Sequence, residues 1–257
     1  MSVFWQRALT YRFTVFGYRI GESLELVILI VMWTAIFQNA TVIGSMTLKE
    51  MITYLLVGNL FRVMVRNFLS DAVARDIKEG QLSLSLVKPM GYFTYIMTKE
   101  IGRISVATLL SAISQVIVCA IFFNSLIFNL DPLYLLLILV MLILAFFTEL
   151  LLSYLIGLIA FWTDEVDGIY SSIDSLKRFF SGGYFPLSLL PQSFVTLSFL
   201  LPFAYSFYVP TQLYLRKIDL TTGLKGVAVQ LIWIGVLSLI IKFVWTRGLK
   251  NYEGVGI

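Results

Sequence analysis

The chain has 257 residues and a net charge of +4, with hydrophobic residues at 59% and charged residues at 13%. Soluble domains hold roughly 45–50% apolar and about 25% charged residues. A core of this size cannot bury such an excess, so the sequence excludes a soluble domain and indicates a membrane protein. The chain has no histidine and one cysteine, Cys119, which excludes an internal disulfide and any metal site built from His and Cys.

The N-terminal segment, residues 1–20, mixes aromatic and aliphatic side chains with Arg7, Arg12 and Arg19. This composition is typical of a helix that lies in the headgroup plane, with its arginines on lipid phosphates. We therefore expect an interfacial helix here; a plain extension of the first span is the alternative. A cleavable signal peptide is not expected, because no small-residue cleavage site follows.

Six apolar stretches follow the N-terminal segment, most of them near the roughly 20 residues that cross a bilayer as a helix. The second contains Arg62 and Arg66, and the fifth contains Asp174, Lys177 and Arg178. The sequence predicts an all-α integral membrane protein with six transmembrane helices in one permease domain over 1–257. The predicted spans are 22–38, 51–72, 103–124, 133–161, 168–183 and 227–246.

The distribution of Lys and Arg between the loops predicts the orientation. With the N-terminus inside, thirteen of these residues fall in cytoplasmic segments and four in external ones, with Lys177 and Arg178 counted as cytoplasmic. The positive-inside rule therefore places both termini in the cytoplasm, which requires an even number of spans. The positive charge favours anionic lipid headgroups at one membrane face over nucleic acid.

A cytoplasmic loop at 73–92 follows the second span. It begins as a charged helical extension, and Gly80 allows a left-handed stop. Leu82, Leu84 and Leu86 then alternate with serines, and Pro89 ends the unit. An amphipathic loop must bury its apolar face, either on the membrane surface or on a partner protein.

A segment at 184–210, between the fifth and sixth spans, is rich in helix-breaking residues. Four of the six prolines fall within it, including Pro202, which breaks its apolar run, and Pro210, which closes that run. Irregular backbone at membrane depth is tolerated only where protein or a water-filled path satisfies it. The segment is either a re-entrant hairpin that lines a pathway or an ordinary external loop, and its apolar character favours the hairpin.

Three charged residues, Arg62, Arg66 and Glu149, lie within predicted spans. The two arginines are four residues apart, so they share a helix face. Each should meet an acid, line a path or extend to the cytoplasmic side. Glu149 is in mid-span, where an ionised carboxylate needs a partner. A structural ion pair between Glu149 and one of the arginines is one interpretation, and a role in the substrate path is the other.

No motif for covalent chemistry is present in the sequence. It lacks the GxxxxGKS/T phosphate loop, GxSxG, HExxH and CxxC. We therefore expect a protein that is not an enzyme and that holds no cofactor.

The order of these features resembles the ABC-2 family of permeases. A loop of the pattern D-I-x-x-G-x-L-x-x-x-L-x-x-P follows the second span, from Asp76 to Pro89, and the block SGGYFP…LP…LPF…P follows the fifth. The resemblance covers nearly the whole chain, although each motif is short. The acidic residues Asp164, Glu165 and Asp167 depart from the family pattern.

The resemblance implies an exporter subunit of a bacterial plasma membrane. A second permease, identical or a sister chain, and two separate ABC ATPase subunits would complete it, with ATP and Mg bound on the ATPases. One set of residues would be the ATPase-coupling element: Arg75, Asp76, Ile77, Lys78, Glu79, Gly80, Gln81 and Leu82. Another set would belong to a hairpin that gates the external side: Gly182, Gly183, Phe185, Pro186, Pro191 and Pro202.

An ion-coupled secondary transporter is the alternative function. It would couple to its ion through an acid in mid-membrane, and Glu149 alone is deeply placed. Under that hypothesis the change Glu149→Gln abolishes transport. The sequence has no visible internal repeat, which disfavours the transporters built from inverted repeats. A membrane scaffold without transport activity is a third hypothesis.

Overall fold

The computed structural model of the protein describes residues 12–87, 89–163 and 166–252. This part of the chain is almost entirely helical, in agreement with the predicted all-α class. A two-stranded β-ribbon and several short 3-10 turns join the helices. The elements are α1 (Arg12–Ile36), β1 (Val42–Ile43), β2 (Met46–Thr47), α2 (Leu48–Val65), α3 (Leu69–Lys78), α4 (Gln81–Leu86), α5 (Tyr92–Ile121), α6 (Pro132–Leu158), α7 (Val166–Phe180), α8 (Gln192–Leu200), α9 (Tyr208–Tyr214) and α10 (Leu220–Asn251).

Three helical stretches in the described part are long and apolar enough to cross a membrane: Ile20–Asn39, Pro132–Phe161 and Leu220–Asn251. A bent pair, Gln192–Leu200 and Phe203–Tyr214, qualifies as a fourth only if the two helices are taken together. The protein is therefore embedded in the membrane, and α6 and α10 coincide with the predicted fourth and sixth spans.

The loops after α1, α5 and α9 meet at one end of the bundle, which we call the ribbon end. The Lys217 ammonium donates to the carbonyl oxygen of Ser45 at 3.0 Å and pairs with Glu50 at 2.5 Å. The Arg216 guanidinium pairs with Asp131 at 2.5 Å. These contacts tie the last loop to the two earlier ones, so all three lie at the same level.

The opposite end, which we call the coupling-loop end, collects the loop after α3 and the ends of α6 and α10. The hydroxyls of Ser83 and Tyr252 are 3.0 Å apart. The rings of Tyr92 and Trp245 stack with centroids 5.5 Å apart and planes 8° apart. The long helices therefore run alternately between the two ends of the bundle.

The N-terminal helix differs from the expected division at residue 20. Residues 12–36 form one uninterrupted helix, α1, so the described part of the expected interfacial helix continues directly into the first apolar stretch. Residues 1–11, where the rest of that helix was predicted, lie outside the described residues.

The predicted span 51–72 is not one helix, which corrects the sequence analysis. Helix α2 ends at Val65, and α3 begins at Leu69 after an extended residue, Arg66. Side chains from other helices satisfy the amides that start α3: Glu100 accepts from Phe68 N at 3.1 Å, and Ser153 accepts from Ser70 N at 2.9 Å. Because such contacts replace the α-helical hydrogen bonds, the chain bends without proline or glycine.

Helix α7, in the predicted fifth span 168–183, has 15 residues and is about 22 Å long, shorter than the hydrocarbon core. It ends in a Schellman motif. Gly183 N donates to Arg178 O at 2.9 Å, and Gly182 N donates to Phe179 O at 3.2 Å. Gly182 has φ +81, a conformation that favours glycine, so the helix breaks at this position.

Both ends of the proline-rich hairpin, residues 184–210 with the rest of α9, contact loops of the ribbon end. A Cβ on Gly44 would lie 2.1 Å from Leu189 Cδ2, and Asn129 Nδ2 donates to Tyr214 O at 2.9 Å. Between these contacts Trp233 Nε1 donates to Leu200 O at 3.0 Å, at the exposed surface of α8. Trp233 is about 20 Å from the start of α10, so the hairpin reaches the middle of that helix.

The turn of this hairpin lies between α8 and α9, and the stretches Gln192–Leu200 and Phe203–Tyr214 differ in direction by 81°. The buried Gln230 amide donates to Met141 O at 3.1 Å and to Tyr205 O at 3.2 Å, and so fixes the turn against α6 and α10. Pro210 does not close the apolar run as expected. It lies in the first turn of α9, where its missing N–H removes no helical hydrogen bond.

Candidate functional site

A polar cavity of about 60 Å³ lies inside the bundle, between α2, α6, α7 and the turn of the proline-rich hairpin. On α7 the cavity lies at Lys177, three turns beyond Val166 and about 16 Å along the helix axis. The cavity is therefore far from the coupling-loop end of the bundle. Its lining residues are Arg62, Val65, Arg66, Glu149, Asp174, Lys177, Arg178, Ser181, Phe203, Ser206 and Phe207.

Three of the four cations in the cavity wall form ion pairs with glutamates of other helices. Lys177 Nζ lies 2.7 Å from Glu149 Oε2 and 3.5 Å from Asp174 Oδ1. Arg66 pairs with Glu22, and Arg178 pairs with Glu25, so both arginines are joined to α1. Buried charges need such partners, because desolvation of an isolated charge costs several kcal/mol.

The fourth cation, Arg62, is held differently. Its Nε and Nη2 donate to Asn59 Oδ1 at 3.0 and 2.7 Å. Asn59 Nδ2 in turn donates to Gln115 Oε1 at 2.9 Å, and Gln115 Nε2 donates to Leu56 O at 3.4 Å. A neutral amide therefore orients the guanidinium, and no carboxylate of the described residues contacts it.

The three charged residues predicted within spans do meet in this cavity, but the expected pairing is wrong. Glu149 is paired with Lys177 of α7 and with neither arginine. Arg66 is the residue after α2, and its extended conformation turns its guanidinium towards Glu22 of α1.

Sequence reasoning missed most of the remaining cluster. Lys177 and Arg178 were assigned to the cytoplasmic side, whereas both line the cavity between the helices, which corrects that assignment. The signal in the sequence for a buried position was that Lys177 and Arg178 lie inside an apolar stretch. Glu22 and Glu25, three residues apart at the start of the first apolar stretch, carried a similar signal. Asn59 carried none, because one asparagine in a helix is unremarkable.

The predicted ATPase-coupling residues form two short helices joined at Gly80, which has φ +73. Ile77 and Leu82 are buried in the bundle, so they anchor the loop and are not accessible to a partner protein. Helix α4 places Leu82 inward and Leu84 and Leu86 outward, so the three leucines do not share one apolar face as expected. The exposed coupling residues are Arg75, Glu79 and Gln81, and Lys88 lies outside the described residues.

Residues of the predicted gate hairpin anchor its first half near the ribbon end. The Tyr54 hydroxyl donates to Gly182 O at 2.7 Å, and Trp33 Nε1 donates to Tyr184 O at 3.4 Å. The Phe185 ring packs edge-on against Phe179 with centroids 5.5 Å apart.

The prolines of the hairpin lie at the ends of its short helices. Pro186 and Pro202 each precede a 3-10 turn, and Pro191 precedes α8. Each proline therefore stands where no helical N–H is needed.

No group of three or more metal-ligating side chains occurs within 12–87, 89–163 and 166–252. Two of the acidic residues that depart from the family pattern, Asp164 and Glu165, lie outside these ranges. The fold and the cavity together define a helical membrane protein whose interior is lined by paired charges.

Residues 24–256 match the model of a family described as ABC-2 family transporter protein. The match covers most of the chain, and the chain therefore belongs to this family, as the resemblance implied. It is thus a membrane permease of an ABC-type transporter. A comparison with curated proteins finds no match. A comparison with solved structures finds none either.

Proposed function

We propose that this chain is the transmembrane subunit of an ATP-driven ABC-2 exporter in a bacterial plasma membrane. It crosses the membrane six times, with both termini in the cytoplasm, and forms the pathway with a second permease. Two separate ATPase subunits bind beneath it and supply ATP and Mg chemistry. The observation that carries the proposal is the coupling loop, which combines a buried anchor with an exposed apolar edge at one end of the bundle.

The contacts at the two ends of the bundle support the six crossings. Helices α1, α2, α5, α6, α7 and α10 alternate between the ribbon end and the coupling-loop end. Helix α7 is short, and the proline-rich hairpin fills the remaining depth on the ribbon side. Because its entry and exit are both tied to ribbon-end loops, we infer that this hairpin is re-entrant and forms the external gate.

The coupling loop is built to transmit force. Leu82 is fully buried, whereas the side chains of Leu84 and Val87 are 62% and 83% exposed. Helix α3 packs closely on α6, since a Cβ on Gly157 would lie 2.7 Å from Val73 Cβ and 2.9 Å from Ser70 O. Movement of an ATPase seated on the exposed edge would therefore be passed directly to α6, which carries Glu149 of the central cavity.

Cross-linking from the loop tests this proposal. Single cysteines at Gln81, Leu84 or Val87, in a Cys119→Ala background, are labelled with a photoreactive maleimide in native membranes. We expect an adduct with a protein that mass spectrometry identifies as an ABC ATPase. A cysteine at Leu130, which is 75% exposed at the ribbon end, is the control and should give none. Absence of the adduct at every loop position contradicts the proposed seat.

Valine at Gly80 should uncouple ATP hydrolysis from transport. A β-branched residue at φ +73 is strained, so the angle between α3 and α4 must change. We expect transport to fall about tenfold or more while ATP hydrolysis by the complex persists, which corresponds to a loss of at least ~1.4 kcal/mol in coupling.

Gly91→Val is the matched control in the same loop. Gly91 has φ −58 and ψ 139, and no atom lies within 4 Å of an added Cβ. Transport by this variant should remain near the wild-type level. Equal transport by the two variants would show that the left-handed turn is unimportant for coupling.

A further inference from the structure

The charges around the central cavity are not equally compensated. Arg66, Lys177 and Arg178 each touch a carboxylate, whereas Arg62 touches only the amide oxygen of Asn59. Asp174, the remaining acid of the wall, contacts Lys177 and is 42% exposed. The guanidinium of Arg62 is thus the one cation of this wall without an ion-pair partner among the described residues.

The amide support fixes the direction of Arg62 but carries no charge. Glu25 and Glu22 lie near the guanidinium, but each already pairs with another arginine, so they leave part of its charge unpaired. Asn59 and Gln115 are 6% and 4% exposed, and each uses its amide group in the chain of hydrogen bonds that ends on the guanidinium. An amide dipole satisfies two of the five N–H donors of an arginine. The charge and the remaining donors are left for a group that enters the cavity.

The volume and walls of the cavity define the class of ligand. A cavity of about 60 Å³ holds a few water-sized groups, since roughly 10–15 Å³ of such space is enough for one water. The hydroxyls of Ser181 and Ser206 lie in the same wall, and Val65, Phe203 and Phe207 provide an apolar side. Arginine binds carboxylate and phosphate oxygens through parallel N–H donors.

We propose that Arg62 binds the carboxylate or phosphate group of an anionic amphiphile in this cavity, with the apolar part of that molecule against the phenylalanines of the hairpin turn. The bound molecule is the cargo if the proposed export function holds, and the proposal deepens that function in this sense. Binding itself needs only the permease, so it is measured without the ATPase.

The test uses purified full-length permease in a neutral maltoside detergent and radiolabelled dodecyl phosphate as the probe. We expect saturable binding that Arg62→Gln weakens about tenfold to a hundredfold, the range for loss of hydrogen bonds to a charged group. Arg247→Gln is the control, because Arg247 contacts Phe243 outside the cavity. Its affinity should stay within about twofold of the wild type.

Asn59→Asp serves as a second variant, because Arg62→Gln also removes a buried side chain and can impair folding. The new carboxylate stands beside the guanidinium and neutralises it internally. Rotation of the Gln115 amide lets Nε2 donate to this carboxylate in place of its long 3.4 Å hydrogen bond to Leu56 O. We expect the same loss of affinity in a protein that melts like the wild type. Unchanged binding by folded Asn59→Asp overturns the proposal.

Two competitors identify the group that the cavity recognises. Dodecyltrimethylammonium has the same chain with a cationic head, and displacement by it at equal concentration overturns an anion site. Inorganic phosphate distinguishes the source of the oxyanion. Weak competition supports an amphiphile with an anionic head, whereas competition equal to that of dodecyl phosphate overturns the amphiphile and leaves a site for free phosphate. A negative result here leaves the ATPase adducts of the coupling loop untouched, so the two proposals fail separately.

Discussion

Replacing Lys177 with methionine should lower the free energy of unfolding by about 3–5 kcal/mol, the cost of leaving one partner of a buried ion pair uncompensated. The Lys177 and Glu149 side chains are only 12% and 13% exposed and their charged atoms are 2.7 Å apart. Methionine fills a similar volume, so the loss reflects the stranded carboxylate. Chemical unfolding in detergent, followed by tryptophan fluorescence, measures the change.

The double variant Lys177→Met/Glu149→Gln separates charge from packing. It removes both charges and should recover much of the loss, because a paired replacement of buried ions is frequently close to neutral. Lys225→Met is the control at an exposed position of α10 and should change stability by less than about 0.5 kcal/mol. A double variant as unstable as the single one would contradict a functional ion pair.

Glu149→Gln alone also discriminates the two transport hypotheses. A glutamine oxygen can still accept from Lys177, so an ATP-driven permease should keep most of its transport with this change. An ion-coupled transporter that uses Glu149 for coupling would lose it. Transport in reconstituted vesicles, with ATP or with an ion gradient as the energy source, gives the answer.

Alanine at Gly58 should destabilise the protein by about 1–3 kcal/mol and should also reduce transport. An added Cβ would lie 2.4–2.9 Å from three atoms of the Phe207 ring. That ring is 4% exposed and packs edge-on against Tyr54 with centroids 5.5 Å apart, so it has little room to move. Since Phe207 also lines the central cavity, its displacement should change the cavity as well as the packing.

Gly235→Ala is the matched control, with the opposite expected sign. No atom lies within 4 Å of a Cβ at this position of α10. Alanine should therefore stabilise the helix by up to about 1 kcal/mol through its higher helix propensity. Equal stabilisation by Gly58→Ala and Gly235→Ala would contradict the close contact between the Phe207 ring and Gly58 of α2.

Those elements that depend on local signals could be predicted from the sequence. The apolar stretches at 133–161 and 227–246 anticipated α6 and α10, because hydropathy over 20 residues is a strong signal. Gly80 was expected to allow a left-handed helix stop, and it has φ +73. Glycine at a helix end is informative because few other residues adopt that conformation.

The features that depend on distant contacts could not be predicted. The bend at 66–68 is stabilised by Glu100 and Ser153 from other helices and by Asn67, whose Oδ1 accepts from Leu69 N at 3.2 Å. A single asparagine in an apolar stretch does not by itself predict a bend. The partner of Glu149 was misassigned for the same reason. Which cation faces an acid depends on how α6 and α7 are rotated about their axes, and sequence spacing within one helix does not determine that rotation.

The most direct test of the central claim is affinity purification of the chain from its native host in mild detergent, with mass spectrometry of the co-eluting proteins and an ATP hydrolysis assay. The account predicts a soluble subunit with a phosphate loop in stoichiometric amount, and hydrolysis of ATP by the complex. A permease that purifies without any ATPase, also after cross-linking, would contradict the account and favour ion-coupled transport.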